Sequence, residues 1–176
     1  MFARYLLTLG AALILSGCAS MSEKDCLTAS WTDQGHRDGR QGFPLSRVED
    51  HREACSKVGV VPDVTLYRRG HGQGILEYCT PHNAVAEGRS GRSYRNACPA
   101  GLEGEFLAYY ELGRRAYQAQ QRLDNLNRES QRVQRTLEKE KSESQRRRLR
   151  DQLRDLDRDL RNARDDLHYE ERRLPF

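Results

Sequence analysis

The feature that most constrains this chain is a long stretch without helix-breaking residues. No proline occurs between Leu102 and Pro175, and the last glycine is Gly113. Such a composition favours α-helix. Two series of apolar or small residues recur there with spacings that alternate between four and three, as in a heptad seam. The first series is Leu112, Ala116, Ala119, Leu123, Leu126, Ser130, Val133 and Leu137, and the second is Leu149, Leu153, Leu156, Leu160, Ala163, Leu167, Glu170 and Leu174.

The two series are mirror images about residue 143. They are out of phase for one uninterrupted heptad helix, whereas folding the chain back at residue 143 pairs Leu137 with Leu149 and Leu126 with Leu160. The pattern therefore predicts an antiparallel coiled-coil hairpin over 102–174, with its turn near 141–145. Ser142 begins an S-x-x-Q capping box at this turn, where the second helix would start. A continuous, dimeric helix with a skip in its repeat is the alternative. The leucines expected to form an interaction surface are Leu123, Leu126, Leu137, Leu153, Leu156 and Leu160.

The amino-terminal segment has the organisation of an export signal. Arg4 precedes an apolar run from Tyr5 to Leu15, which is too short to span a bilayer as a stable helix. Leu-Ser-Gly-Cys at 15–18 resembles the lipobox of bacterial lipoproteins. This resemblance implies that residues 1–17 are removed and that Cys18 carries lipid, including palmitate-type acyl chains, above a tether at 18–25. An ordinary signal peptide with an accidental cysteine is the alternative.

Four cysteines remain once Cys18 is set aside: Cys26, Cys55, Cys79 and Cys98. An even number in an oxidising compartment predicts two disulfides, and the wide spacings disfavour a zinc site. Four cysteines allow three pairings. We favour Cys26–Cys55 and Cys79–Cys98, because an antiparallel pair of helices folding about residues 42–44 would bring Cys26 and Cys55 to the same end.

Residues 26–101 are expected to form a small helical head. Asp63 and Thr80 are plausible N-caps, Ser46 begins an S-x-x-E capping box, and an earlier helix should run from about Thr28 to Arg40. Glycines recur beside aromatic residues: Gly35 and Gly39 after Trp31, Gly70 and Gly74 after Tyr67, and Gly88 and Gly91 before Tyr94. Close helix packing is the preferred interpretation, and a glycine-lined ligand groove is the alternative. The chain as a whole is thus predicted to be all-α, with a disulfide-linked bundle of short helices followed by the hairpin.

The sequence Tyr-Cys-Thr-Pro-His-Asn at 78–83, with Cys98-Pro99 downstream, resembles a family of proteobacterial lipoproteins defined by a domain of unknown function. The Cys18 leader, Trp31 and the segment 51–55 fit the same family. The resemblance implies a shared architecture and carries no activity, catalytic residue or cofactor.

The charge pattern and motifs favour a binding role over an enzymatic one. Lys and Arg number 30 against 26 Asp and Glu, without a basic stripe, which argues against nucleic-acid binding. We therefore expect a non-enzymatic adaptor without metal or cofactor, lipid-anchored at the periplasmic face of the outer membrane, or alternatively of the inner membrane. Its hairpin would bind a periplasmic protein or a second copy. The competing hypothesis is a ligand- or metal-binding head, using His36 and His71, with possible hydrolytic activity.

Overall fold

The computed structural model describes residues 20–176, and all regular structure in that range is α-helical. The helices are α1 (Glu23–Thr28), α2 (Trp31–Arg40), α3 (Arg47–Ser56), α4 (Val64–Tyr78), α5 (Pro81–Arg89), α6 (Ala100–Lys139) and α7 (Glu143–Arg172). The prediction of an all-α bundle followed by a long helical hairpin is confirmed. None of the helices within 20–176 combines the length and the apolar character needed to cross a membrane.

Local capping determines where several helices begin. The side chains of Asp63 and Thr80 accept backbone hydrogen bonds at the starts of α4 and α5, as the sequence predicts. The two predicted capping boxes are wrong. Ser46 already has helical backbone angles and makes no side-chain cap, and Ser142 bonds the hydroxyl of Ser144 instead.

Residues 20–25 differ from the expected tether. The N-cap Ser22 starts α1 at Glu23, and Met21 is buried in the core beside Cys26. Ser20 hydrogen-bonds His51 on α3 through its hydroxyl, with 2.8 Å between Oγ and Nδ1. The folded head therefore includes Ser20, two residues after Cys18. The predicted helix from 28 to 40 is correspondingly divided, since Ser30 caps a new helix at Trp31.

Helix α2 packs closely against α4, whereas the expected close pairing of α2 with α3 is not found. A Cβ on Gly35 would lie 2.1 Å from the carbonyl oxygen of Tyr67, and one on Gly39 would lie 2.5 Å from that of His71. A step of four residues along α2 therefore moves the contact four residues forward along α4, which means that the two helices run parallel. The segment that contains α3 returns the chain to the start of α4, which allows α2 and α4 to run parallel. Their glycines then bring the two backbones into contact.

Helices α6 and α7 form the hairpin. Away from the turn, the two helices are connected by the ion pairs Arg115–Glu170 and Arg122–Asp166, with nitrogen–oxygen distances of 3.4 and 3.3 Å. At the tip, Arg146 donates to the carbonyl oxygens of Leu137 and Glu140, both at 3.0 Å. These bonds satisfy carbonyls that the end of α6 leaves unpaired. The first turns of α6 pack on α5, so that one helix belongs to both the head and the hairpin.

Candidate functional site

The cysteines of the head are paired as the sequence analysis favoured. Cys26 is bonded to Cys55 and Cys79 to Cys98, with Cα–Cα distances of 5.5 and 5.7 Å. The first bond joins α1 to α3, and the second joins the end of α4 to the loop before α6. Cys18, the proposed lipidation site, lies outside the described residues.

The head contains the same helix crossing twice. A Cβ on Gly39 would contact two backbone atoms of α4: the carbonyl oxygen three residues before Gly74 and the amide nitrogen one residue after it. A Cβ on Gly88 would contact the carbonyl oxygen three residues before Gly113 and the amide nitrogen one residue after it, both on α6. The reciprocal contacts of Gly74 and Gly113 are also equivalent. Helices α2 and α4 thus form one unit, and α5 and the start of α6 form a second unit of the same design.

A turn glycine and a tyrosine complete each unit. Gly42 and Gly91, both with φ near +70°, lie under the rings of Tyr78 and Tyr117, so that a Cβ would be 2.3 and 2.4 Å from the respective Cζ atoms. The aromatic partner of Gly91 is therefore Tyr117 rather than the predicted Tyr94. Two sequence signals carry this repeat: Asp-Gly-Arg-Gln-Gly at 38–42 matches Glu-Gly-Arg-Ser-Gly at 87–91, and Gly-x-x-x-Tyr ends both 74–78 and 113–117.

A buried polar network holds the first unit to α3. His51, which is 1% exposed, directs Nε2 to Oδ2 of Asp38 at 2.7 Å, and the hydroxyl of Tyr67 donates to the same oxygen at 2.8 Å. Burial raises the pKa of Asp38, but the bonds from His51, Tyr67 and Gln34 outweigh it, and the net pKa is lowered. Burial, followed by the bond to Asp38, raises the pKa of Tyr67. Asp38 is therefore an ionised acceptor that joins α2, α3 and α4.

The serine, histidine and aspartate of this network form a hydrogen-bonded chain, as they do in hydrolases. Here Ser20 contacts Nδ1 and the carboxylate contacts Nε2, and the imidazole is enclosed by Trp31 and Tyr67 at ring-centroid distances of 6.5 and 5.9 Å. The arrangement connects Ser20 to the core and holds this segment against α3.

The two histidines considered as metal ligands have separate partners. His36 pairs with Glu77 at 2.8 Å on the surface, and His71 donates from Nε2 to the carbonyl oxygen of Phe43 at 2.8 Å. Across residues 20–176, no group of three His, Cys, Asp or Glu side chains is placed to hold a metal ion. The geometry of the described residues therefore gives no support to the metal-binding alternative.

The leucines expected to form an interaction surface lie in the contact between α6 and α7. Leu156 and Leu160 are buried, together with Val133 and Ala163. The other four remain half-buried, and they are Leu123, Leu126, Leu137 and Leu153. The hairpin thus covers its own seam only in part.

The comparisons with known proteins give one match, to a family model. The chain matches no curated protein and no solved structure. The expected resemblance to a family defined by a domain of unknown function is confirmed at that coarse level, and the matched region includes both repeat units up to Arg115 on α6. Residues 30–115 match the model of the family described as protein of unknown function (DUF2799).

Proposed function

We propose that this protein is a lipid-anchored adaptor of the bacterial cell envelope that acts by binding another protein. The anchor is a lipid group on Cys18 after removal of residues 1–17, and the location is the periplasmic face of the outer membrane. The lipobox-like Leu-Ser-Gly-Cys supports the anchor. The two disulfides support an oxidising compartment, since such bonds are rare in reducing cytosol.

The observation that carries the adaptor role is the incompletely covered hairpin. Helix α6 has 40 residues, about 60 Å, and its second half contacts α7 rather than the head. Half-buried Leu123, Leu126, Leu137 and Leu153 line the contact between the two helices. A third helix laid along this edge would remove apolar surface from water, which is how amphipathic helices commonly recognise grooves.

The anchor is tested on protein isolated from its own membranes. Mass spectrometry should find an amino terminus at residue 18 that carries acyl chains, and Cys18→Ser should release the protein from the membrane fraction. An unprocessed terminus without acyl groups would refute the anchor and leave the adaptor role to its own test.

The adaptor role is tested by photo-crosslinking in cells. A photoreactive amino acid in place of Leu153, at the edge of the seam, should give a discrete adduct with one protein or with a second copy. Asp155, exposed on the same helix, is the matched control and should give none. Equal adducts from both positions, or none from Leu153 in a variant that keeps its helicity, would contradict the proposal.

A further inference from the structure

A cleft of about 600 Å³ opens between the two repeat units. It is bounded by the end of α2, the end of α4, one side chain of α5 and the loop that follows α5. Its volume lies within the range of about 300 to 1,000 Å³ that is typical of small-molecule sites. The lining residues that matter for its chemistry are Arg40, Phe43, Tyr78, Glu87, Arg92 and Arg95.

Tyr78 brings a hydroxyl without a protein partner to this cleft. The residue is only 4% exposed, its ring is held against Gly42, and its hydroxyl has no hydrogen-bond partner among residues 20–176. The hydroxyl of a tyrosine whose ring is buried usually has such a partner. Burial, followed by the nearby charge of Glu87, raises the pKa of Tyr78 to about 12, so that the hydroxyl keeps its proton at neutral pH. It is therefore an available donor on the wall of the cleft.

The charges of the cleft do not balance. Glu87 accepts three bonds from Arg92, two from Nε at 3.0 and 2.9 Å and one from Nη2 at 2.6 Å, which neutralises that pair. Arg40 and Arg95 form no ion pair within the described part of the chain. Arg95 donates to the carbonyl oxygen of Gln41 at 3.3 Å, and its guanidinium lies 4.2 Å from the ring centroid of Phe43. Two positive charges thus remain without a counter-charge.

We propose that this cleft binds the phosphate group of a phosphate monoester, with Arg40 and Arg95 providing the charge and the hydroxyl of Tyr78 providing one hydrogen bond. A monoester carries about −1.5 to −2 charges at pH 7, which matches two guanidinium groups, whereas a carboxylate carries one. Guanidinium groups also fit the oxygen geometry of phosphate. The residues that line the cleft belong to the head and not to the hairpin, and the inference goes beyond the adaptor role proposed above.

Isothermal titration of the purified full chain with inorganic phosphate tests the proposal. Saturable binding is expected, tighter than that of acetate. Arg40→Gln and Arg95→Gln should each weaken it about tenfold, and Tyr78→Phe about fivefold, as expected for the loss of a charged and a neutral hydrogen bond. Because the hydroxyl of Tyr78 has no protein partner, Tyr78→Phe should leave the melting temperature unchanged.

Tyr117→Phe is the matched control for the tyrosine. Tyr117 has the equivalent place over Gly91 in the second unit and does not line the cleft, so phosphate binding should be unaffected. Arg68→Gln, at an exposed position of α4, controls for a general loss of positive charge. The proposal is overturned if phosphate gives no saturable heat, if acetate binds as tightly, or if the control variants weaken binding as much as the cleft variants.

Two further titrations identify the source of the phosphate. Soluble glycerol 3-phosphate and vesicles containing phosphatidic acid present the same monoester in water and at a membrane surface. A stronger response to the vesicles assigns the site to a lipid headgroup, and a stronger response to the soluble ester assigns it to a free small molecule. Either response supports the site if it depends on Arg40 and Arg95, and independence from both residues overturns it.

Discussion

Substituting the glycines of α4 provides a direct test of the packing between α2 and α4. A Cβ at Gly70 would lie 1.8 Å from the carbonyl oxygen of Thr32, and backbone atoms cannot rotate away as a flexible side chain can. The helices would have to separate by about 1 Å or more, and overpacking of this kind typically costs about 1 to 3 kcal/mol. At Gly72, two residues further along, a Cβ would meet nothing within 4 Å.

The two alanine variants should therefore change stability in opposite directions. Gly72→Ala should raise the free energy of unfolding by about 0.5 to 1 kcal/mol, because alanine is the better helix former. Gly70→Ala gains the same propensity, but its backbone contact of 1.8 Å places the overpacking cost at the upper end, about 3 kcal/mol, so that about 2 kcal/mol is lost net. For a chain of this size the resulting difference corresponds to about 6 to 12 °C in melting temperature. Far-UV circular dichroism during thermal and urea denaturation measures both variants.

The reasoning is refuted if Gly70→Ala is as stable as the wild type, or if both variants shift in the same direction. The second unit offers an independent repetition on α6. A Cβ at Gly113 would lie 2.3 Å from the carbonyl oxygen of Val85, whereas one at Gly104 would meet nothing within 4 Å. The same opposite signs are expected there.

Three other predictions concern the disulfides, the buried carboxylate and the hairpin. Removing either disulfide, which closes a sequence separation of 29 or 19 residues, should cost about 3 kcal/mol in urea unfolding, and an unchanged midpoint after reduction would contradict this. Because the pKa of Asp38 is lowered on folding, its stabilisation is present above about pH 4 and is lost as pH falls through the folded value. Asp38→Asn should flatten this acid limb in pH-dependent melting, and an unaltered limb would count against the network. Leu160→Ala should cost about 2 to 4 kcal/mol, while exposed Asp159→Ala should be near neutral, and calorimetry should separate the two variants.

Features set by neighbours in the sequence could be predicted from the sequence alone. Asp63 and Thr80 stand at helix starts because a capping side chain needs only the backbone three residues ahead. The mirror relation of the two leucine series specifies the hairpin, because only reversal of the chain near residue 143 buries both series. The S-x-x-E pattern at Ser46 failed because a turn that starts at Pro44 already bonds the N–H of Arg47. The S-x-x-Q pattern at Ser142 failed because the hydroxyl of Ser142 bonds that of Ser144 instead of the backbone.

Features that depend on distant contacts could not be predicted in this way. The glycine spacing indicated close approach, but not that α2 would meet α4 instead of α3, since either helix could in principle present a surface to it. The burial of Met21 and the bond from Ser20 to His51 also depend on α3 being in place. The cleft depends on Tyr78, a residue that the sequence presented only as part of a family-like motif. Its hydroxyl becomes part of a candidate site only because the fold brings Arg40 and Arg95, from other parts of the chain, to the same cleft.

The continuity of α6 gives the molecule a mechanical lever. About 40 Å of unbroken helix separate the crossing at Gly113 from the last residue of α6, Lys139, so a tilt of about 5° at the crossing would move the tip by about 3 Å. The base of this lever is coupled to the loop after α5, because the hydroxyl of Tyr110 on α6 donates to the carbonyl oxygen of Arg92 at 2.7 Å. A small displacement of that loop would therefore be amplified at the far end of the hairpin.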